Sequence, residues 1–234
     1  MTTHRALTVI AALLAGGWSL NAGARAPEPA PSPAAVAAAA ALAQWQAGTN
    51  YRLLPAPQPT NVAGGKVEVN EIFWYGCGHC YALDPTLESW KIDKPAYVEF
   101  VRVPVIWGPV HRQHAKLFYT LQALHRPELH AKVFDAIHQQ GLPLSARDEV
   151  EARAMHMAFF SSQGVTEKDF NAAYDSMSVA ANMLRAEELT RKFAVASVPI
   201  LIVNGKYSTS VTEAGGATQL LSLINDLAAS EKNR

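Results

Sequence analysis

The sequence predicts an α/β fold in which a β-α-β unit is separated by an all-helical stretch from a closing β-hairpin and helix. Three observations predict it. Two apolar runs rich in β-formers, Lys66 to Tyr75 and Tyr97 to Val105, flank a segment whose apolar residues fall at helical spacing. A long stretch after them keeps helical periodicity and has few strand formers. Near the C-terminus, Asn204-Gly205 joins two short runs as a two-residue hairpin turn.

In chain order, His4 and Arg5 precede an uncharged stretch from Ala6 to Ala24 with an apolar heart at Leu7 to Leu14. Small residues at Ala22, Gly23 and Ala24 offer a cleavage site, so residues 1–24 read as a secretory signal. The stretch is short for a membrane span and is interrupted by Gly16-Gly17; uncleaved, it would act as an anchor. Either outcome puts the folded part where disulfides persist. Residues 25–48 are low in complexity, with Pro27, Pro29, Pro31 and Pro33 followed by an Ala run to Trp45. They read as a tether, extended in its Pro-rich part and able to form a helix in its Ala run, that buries no core, with the fold beginning near Thr49.

Lys66 to Tyr75 carries apolar residues of both parities, so both faces of this strand are expected to be covered. Leu83, Leu87 and Trp90 define one helical face in the run Tyr81 to Trp90, which leads by a right-handed crossover to the strand Tyr97 to Val105. Helices are predicted at about His111 to Leu124, Pro127 to Gln139, Arg147 to Ser162, Glu167 to Asp175 and Val179 to Phe193. Pro127 suits a first helical turn, and Thr166 with Asp169 resembles a capping box. Met155, Met157, Phe159 and Phe160 read as core. Pro199 to Val203 and Lys206 to Val211 form the hairpin, and Gln219 to Ala229 the last helix. The body thus divides into 49–110, a helical insertion 111–182, and 183–234.

Twenty basic and twenty acidic side chains give no net charge and no block of one sign, so nothing points to nucleic acid. The chemistry sits in Cys77-Gly78-His79-Cys80, which holds both cysteines of the chain. It lies where a strand gives way to a helix, so the first sulfur meets unpaired N–H groups and the helix dipole, which favour thiolate. A thiolate attacks disulfides. A zinc site lacks a second Cys pair, haem attachment needs His where Tyr81 stands, and a staple closing so short a loop stabilises little. The pair is therefore read as a redox centre that needs no cofactor and no metal. His111, His114, His125, His130, His138 and His156 show no ligand spacing and read as surface or interhelical residues. Trp107 and Tyr75 are candidates for the rim of an apolar substrate patch. Glu71, on a strand covered on both faces, should have a raised pKa or pair with a basic residue.

The run Glu71-Ile-Phe-Trp-Tyr-Gly-Cys-Gly-His-Cys-Tyr81, the helical insertion and Ser197-Val-Pro-Ile-Leu-Ile-Val-Asn-Gly-Lys-Tyr207 together resemble the DsbA-type thiol:disulfide oxidoreductases. The resemblance implies a thioredoxin fold with an inserted all-helical domain. It implies a periplasmic, monomeric oxidant that hands its disulfide to reduced, unfolded secreted proteins and is re-oxidised by a membrane partner of the DsbB type. By position, Cys77 corresponds to the exposed nucleophile, Cys80 to the buried resolving sulfur and His79 to the histidine that favours the thiolate. Val198-Pro199 corresponds to a cis-proline loop facing the active sulfur, and Glu71 to a buried acid with Arg102 as its basic partner. The family is the customary example of a strongly acidic, strongly oxidising pair, and the resemblance extends that expectation here. Many members carry Pro where this chain has Gly78; Cys-Gly-His-Cys is familiar from protein disulfide isomerases. An isomerase, a reductase for cytochrome maturation, or a periplasmic binding or holdase protein are the competing readings.

Overall fold

The computed structural model describes residues 32–232, so the expected signal and the first part of the expected tether lie outside the described residues. Five strands, β1 (Arg52–Leu53), β2 (Val67–Phe73), β3 (Val98–Pro104), β4 (Ile200–Val203) and β5 (Tyr207–Thr209), form one sheet in the order β1-β5-β4-β2-β3. β2 and β3 are parallel; β4 runs antiparallel to both β2 and β5. All seven residues of β2 are buried, which is the physical content of its two-parity apolar pattern.

The helices among the described residues are α1 (Pro33–Leu42), α2 (Gly78–Asp93), α3 (Pro109–Ala123), α4 (Leu129–His138), α5 (Glu149–Ser162), α6 (Glu167–Tyr174), α7 (Met177–Lys192), α8 (Val211–Ala214) and α9 (Ala217–Glu231). α2 crosses from β2 to β3. Its buried face, Leu83, Leu87 and Trp90, packs with α9 residues Leu220, Leu223, Ile224 and Leu227 and with Val67, Val69, Leu201 and Val203 of the sheet. The other core joins Ile72, Val103 and Ile202 to the aromatic interior of α3–α7, where Phe118, Phe134, Phe160 and Phe170 are buried. Asp148, Thr166 and Ser176 cap α5, α6 and α7 through side-chain oxygens, Thr166 on the amide of Asp169 as the capping-box pattern predicts. α4 starts at Leu129, two residues later than Pro127 suggested, and the boundary drawn at 182 falls inside α7. Asn204 and Gly205 both take positive φ (50° and 62°), and a Cβ on Gly205 would collide with the Gln58 carbonyl, so the hairpin turn needs glycine there.

The tether expectation is corrected from residue 33 onward. The Ala run forms a helix, as its composition allows, but this helix, α1, packs on α9, and Leu42 and Trp45 join the α2–α9 core. Trp45 Nε1 donates to Asp226 Oδ2 at 2.9 Å. Alanine side chains let two helix backbones approach closely, so a helix with almost no amphipathic pattern still docks once one aromatic residue anchors its end.

Candidate active site

Cys77 is the N-cap of α2, in extended conformation (φ −91°, ψ 115°), with no side-chain cap of its own. Its sulfur therefore faces the unpaired amides of the first helical turn. Cys77 is half-buried, Cys80 fully buried, and both are free thiols, so this is the dithiol form. The Cys77 thiol is pulled down to about 5, first by the hydrogen bond from the Cys80 thiol, then, against the cost of burial, by the Cys80 and His79 amides and the His79 charge. Cys80 moves far above the ordinary thiol range because it is buried and its thiol donates a hydrogen bond to the Cys77 sulfur. One sulfur is thus set to be an anion and the other to hold a proton.

The Val198-Pro199 peptide is cis, and Cys77 Sγ lies 3.5 Å from the Val198 carbonyl oxygen. His79 is exposed, and Pro199 is buried. Beside them runs a cleft of about 410 Å³ lined by His79, Leu83, Val198, Pro199, Val211 and Thr212.

Beneath the sulfurs, β2 places Glu71 directly opposite Arg102 on β3. Arg102 Nε donates to Glu71 Oε2 at 2.8 Å, and its two terminal nitrogens reach Asp84 Oδ1 and Glu88 Oε1, each at 2.6 Å. Glu71 is 1% exposed, and burial outweighs the Arg102 attraction, raising its pKa to about 7. Both sequence expectations for Glu71, the shift and the pair, therefore hold together. Sequence reasoning misses Asp84 and Glu88. Asp84 stands four residues after Cys80, one turn along the same helix face, which is the signal that finds it.

Tyr75 does not rim any surface. It is fully buried, and its hydroxyl meets His130 Nδ1 at 2.8 Å. Trp107 stays 44% exposed, its Nε1 donating to the Val195 carbonyl in the proline loop, and His111 lies between its ring and that of Trp74. His114 and His156 are buried between helices, each bound to a backbone carbonyl.

No family model matches the chain. Among curated proteins it is 35% identical over 189 residues to the thiol:disulfide interchange protein DsbA of Pseudomonas aeruginosa, covering 80% of this chain and 86% of that one. With DsbA of Pseudomonas syringae pv. tomato the identity is 37% over 188 residues, 80% and 85% of the two chains. The crystal structure of Pseudomonas aeruginosa DsbA superposes with a TM-score of 0.74 at 34% identity, over 82% of this chain and 96% of that one. The oxidoreductase NmDsbA3 from Neisseria meningitidis gives 0.68 at 28%, over 81% of this chain and all of the other. With a thioredoxin-type sheet, a helical insert and paired cysteines at the junction of β2 and α2, the chain belongs to the DsbA family of thiol:disulfide oxidoreductases.

Proposed function

We propose that the protein oxidises cysteine pairs of secreted proteins in the periplasm through the Cys77–Cys80 couple. A substrate thiolate attacks Cys77 of the disulfide; the S–S bond breaks, its electron pair passes to Cys80, and Cys80 takes up a proton. A second substrate thiolate then attacks the substrate sulfur of the mixed disulfide, and Cys77 leaves as a thiolate. The substrate loses two electrons and two protons overall, and the protein's disulfide is reduced. The observation that carries this reading is Cys77 itself: a low-pKa sulfur on a helix N-terminus is a good leaving group. An extended substrate segment fits the cleft beside Val198, whose carbonyl can accept a main-chain N–H. A membrane partner of the DsbB type re-oxidises the pair. Among the described residues no helix is long and apolar enough to cross a membrane.

The equilibrium of the couple with glutathione, measured with thermal melts of both redox forms, tests the direction. The folded-state pKa of Cys77 is depressed, so the reduced form gains stability that is complete above the ordinary thiol value near 9. That stability is lost as pH falls through about 5. After allowing for solvent screening at a half-exposed sulfur, roughly 1–2 kcal/mol of it is present at pH 7, and the reduced form should melt about 3–6 °C higher. A higher-melting oxidised form would identify a reductase.

Glu71 lies among the charges that act on Cys80 and titrates near neutrality. We assign it the proton that Cys80 takes up on reduction. Glu71→Gln should slow reduction by substrate about tenfold or more and flatten the inflection near pH 7. Unchanged rates with lowered stability would leave Glu71 only a structural partner of Arg102.

A further inference from the structure

Helix α4 lies far from the cysteines in sequence, yet its side chains hold the redox loop on both sides of the pair. His138 Nε2 donates to the Tyr75 carbonyl at 2.7 Å, two residues before Cys77. The same imidazole lies flat on the ring of Tyr81, the residue after Cys80, with centroids 4.8 Å apart and planes 4° from parallel. The Tyr81 hydroxyl donates to Asp135 Oδ1 and accepts from Gln139 Nε2, both at 2.9 Å. Asp135, His138 and Gln139 occupy one turn of helix spacing and so present a single socket. At the other end of Tyr75, the hydroxyl is held by His130. Burial keeps the Tyr75 phenol protonated, and His130 Nε2, on the other side of the imidazole, lies 3.3 Å from Asp84 Oδ1.

The loop inside this socket places the donors of the redox pair. Trp74 accepts the Cys77 amide at 3.0 Å, and Gly76 packs so tightly under the Trp74 indole that a Cβ there would collide with it. Of the peptide groups between Trp74 and Cys77, the one whose carbonyl belongs to Tyr75 is tied by a side chain of the helical insertion.

We propose that His138, with Tyr81, is a positioning residue that sets the redox equilibrium of the Cys77–Cys80 couple. The inference rests on the reading of that pair as the redox centre. In the oxidised protein the S–S bond itself fixes residues 77 and 80 relative to each other. In the dithiol form only the loop and the first turn of α2 hold the amides of His79 and Cys80 around the Cys77 sulfur. The socket therefore stabilises the reduced form more than the oxidised one, and its loss makes the protein a weaker oxidant.

The test is the glutathione equilibrium at pH 7 for the full chain and for His138→Ala, His138→Gln and Tyr81→Phe, with the Cys77 titration followed by thiolate absorbance and melts of both redox forms. His138→Ala should shift the equilibrium about fivefold or more toward the disulfide and raise the Cys77 pKa by about half a unit or more. His138→Gln, which keeps an N–H donor for the Tyr75 carbonyl, should shift it less. Tyr81→Phe, which keeps the stacked ring and loses both hydroxyl bonds, should shift it about twofold to threefold in the same direction. Equal losses of stability in the two redox forms with an unchanged equilibrium would overturn the proposal, because that is what a merely structural contact does. Should His138→Ala not fold, the shifts in the other two variants decide the question on the same criterion. A full chain with no reversible exchange would instead sink the redox reading of the cysteines, a different failure.

Discussion

Cys77→Ser is expected to abolish oxidation of reduced substrate proteins, lowering the rate by more than about a thousandfold, with the fold intact by circular dichroism. A serine oxygen at this position cannot form the disulfide that carries the electrons, and a binding or holdase protein would keep its activity. The partner substitutions separate the two sulfurs. Because the Cys80 thiol is the largest cause of the Cys77 shift, Cys80→Ala should move the Cys77 titration upward from about 5. Cys80→Ser keeps an O–H donor and should move it less. Both Cys80 variants leave Cys77 able to attack an oxidised substrate and remain trapped as a mixed disulfide, visible on a non-reducing gel. Cys77→Ser should trap nothing, and a mixed disulfide through Cys80 in that variant would reverse the assignment of the two roles.

Much of this site is legible from local pattern. The all-buried β2, the Asn204-Gly205 turn and the amphipathic face of α2 each declare themselves within a few residues, and together they put Cys77 on a helix N-terminus. A carboxylate on the all-buried β2 must be neutralised or paired, and the family resemblance points to Arg102 as the partner of Glu71. What local pattern cannot show is how the insertion docks. Tyr75 lies just past the end of β2, where strand alternation no longer says which way a side chain points, and its partners His130 and His138 are 55 and 63 positions away. A lone histidine on a helix carries no mark of the loop it will meet. The docking of α1 is illegible for another reason: an Ala run can be read as helical but has no period to say which face packs, and its anchor Trp45 bonds to Asp226, 181 positions off.

Arg102→Met is expected to be the most destabilising single change at the site. Arg102 is buried among three carboxylates, two of which, Glu71 and Asp84, are 1% and 5% exposed. A methionine fills much of the space but leaves both without this cation, and breaking a buried pair in this way costs about 3–5 kcal/mol, or a melting temperature lower by about 8–15 °C for a domain of this size. The pH dependence has a definite sign. Without Arg102 the folded-state pKa of Glu71 rises further above its unfolded value. Its protonated form is tolerated, so the deficit is smallest in acid and grows as pH climbs through and beyond the value of about 7 that Glu71 already has with Arg102 present. Adding Glu71→Gln to Arg102→Met removes one of the two orphaned charges and should return part of the loss at pH 8 but little at pH 4. If Arg102→Met instead melts within about 1 °C of the parent at pH 8, the cluster is solvated and Glu71 is not a buried acid. The raised pKa that makes it a proton donor to Cys80 would then have no physical origin.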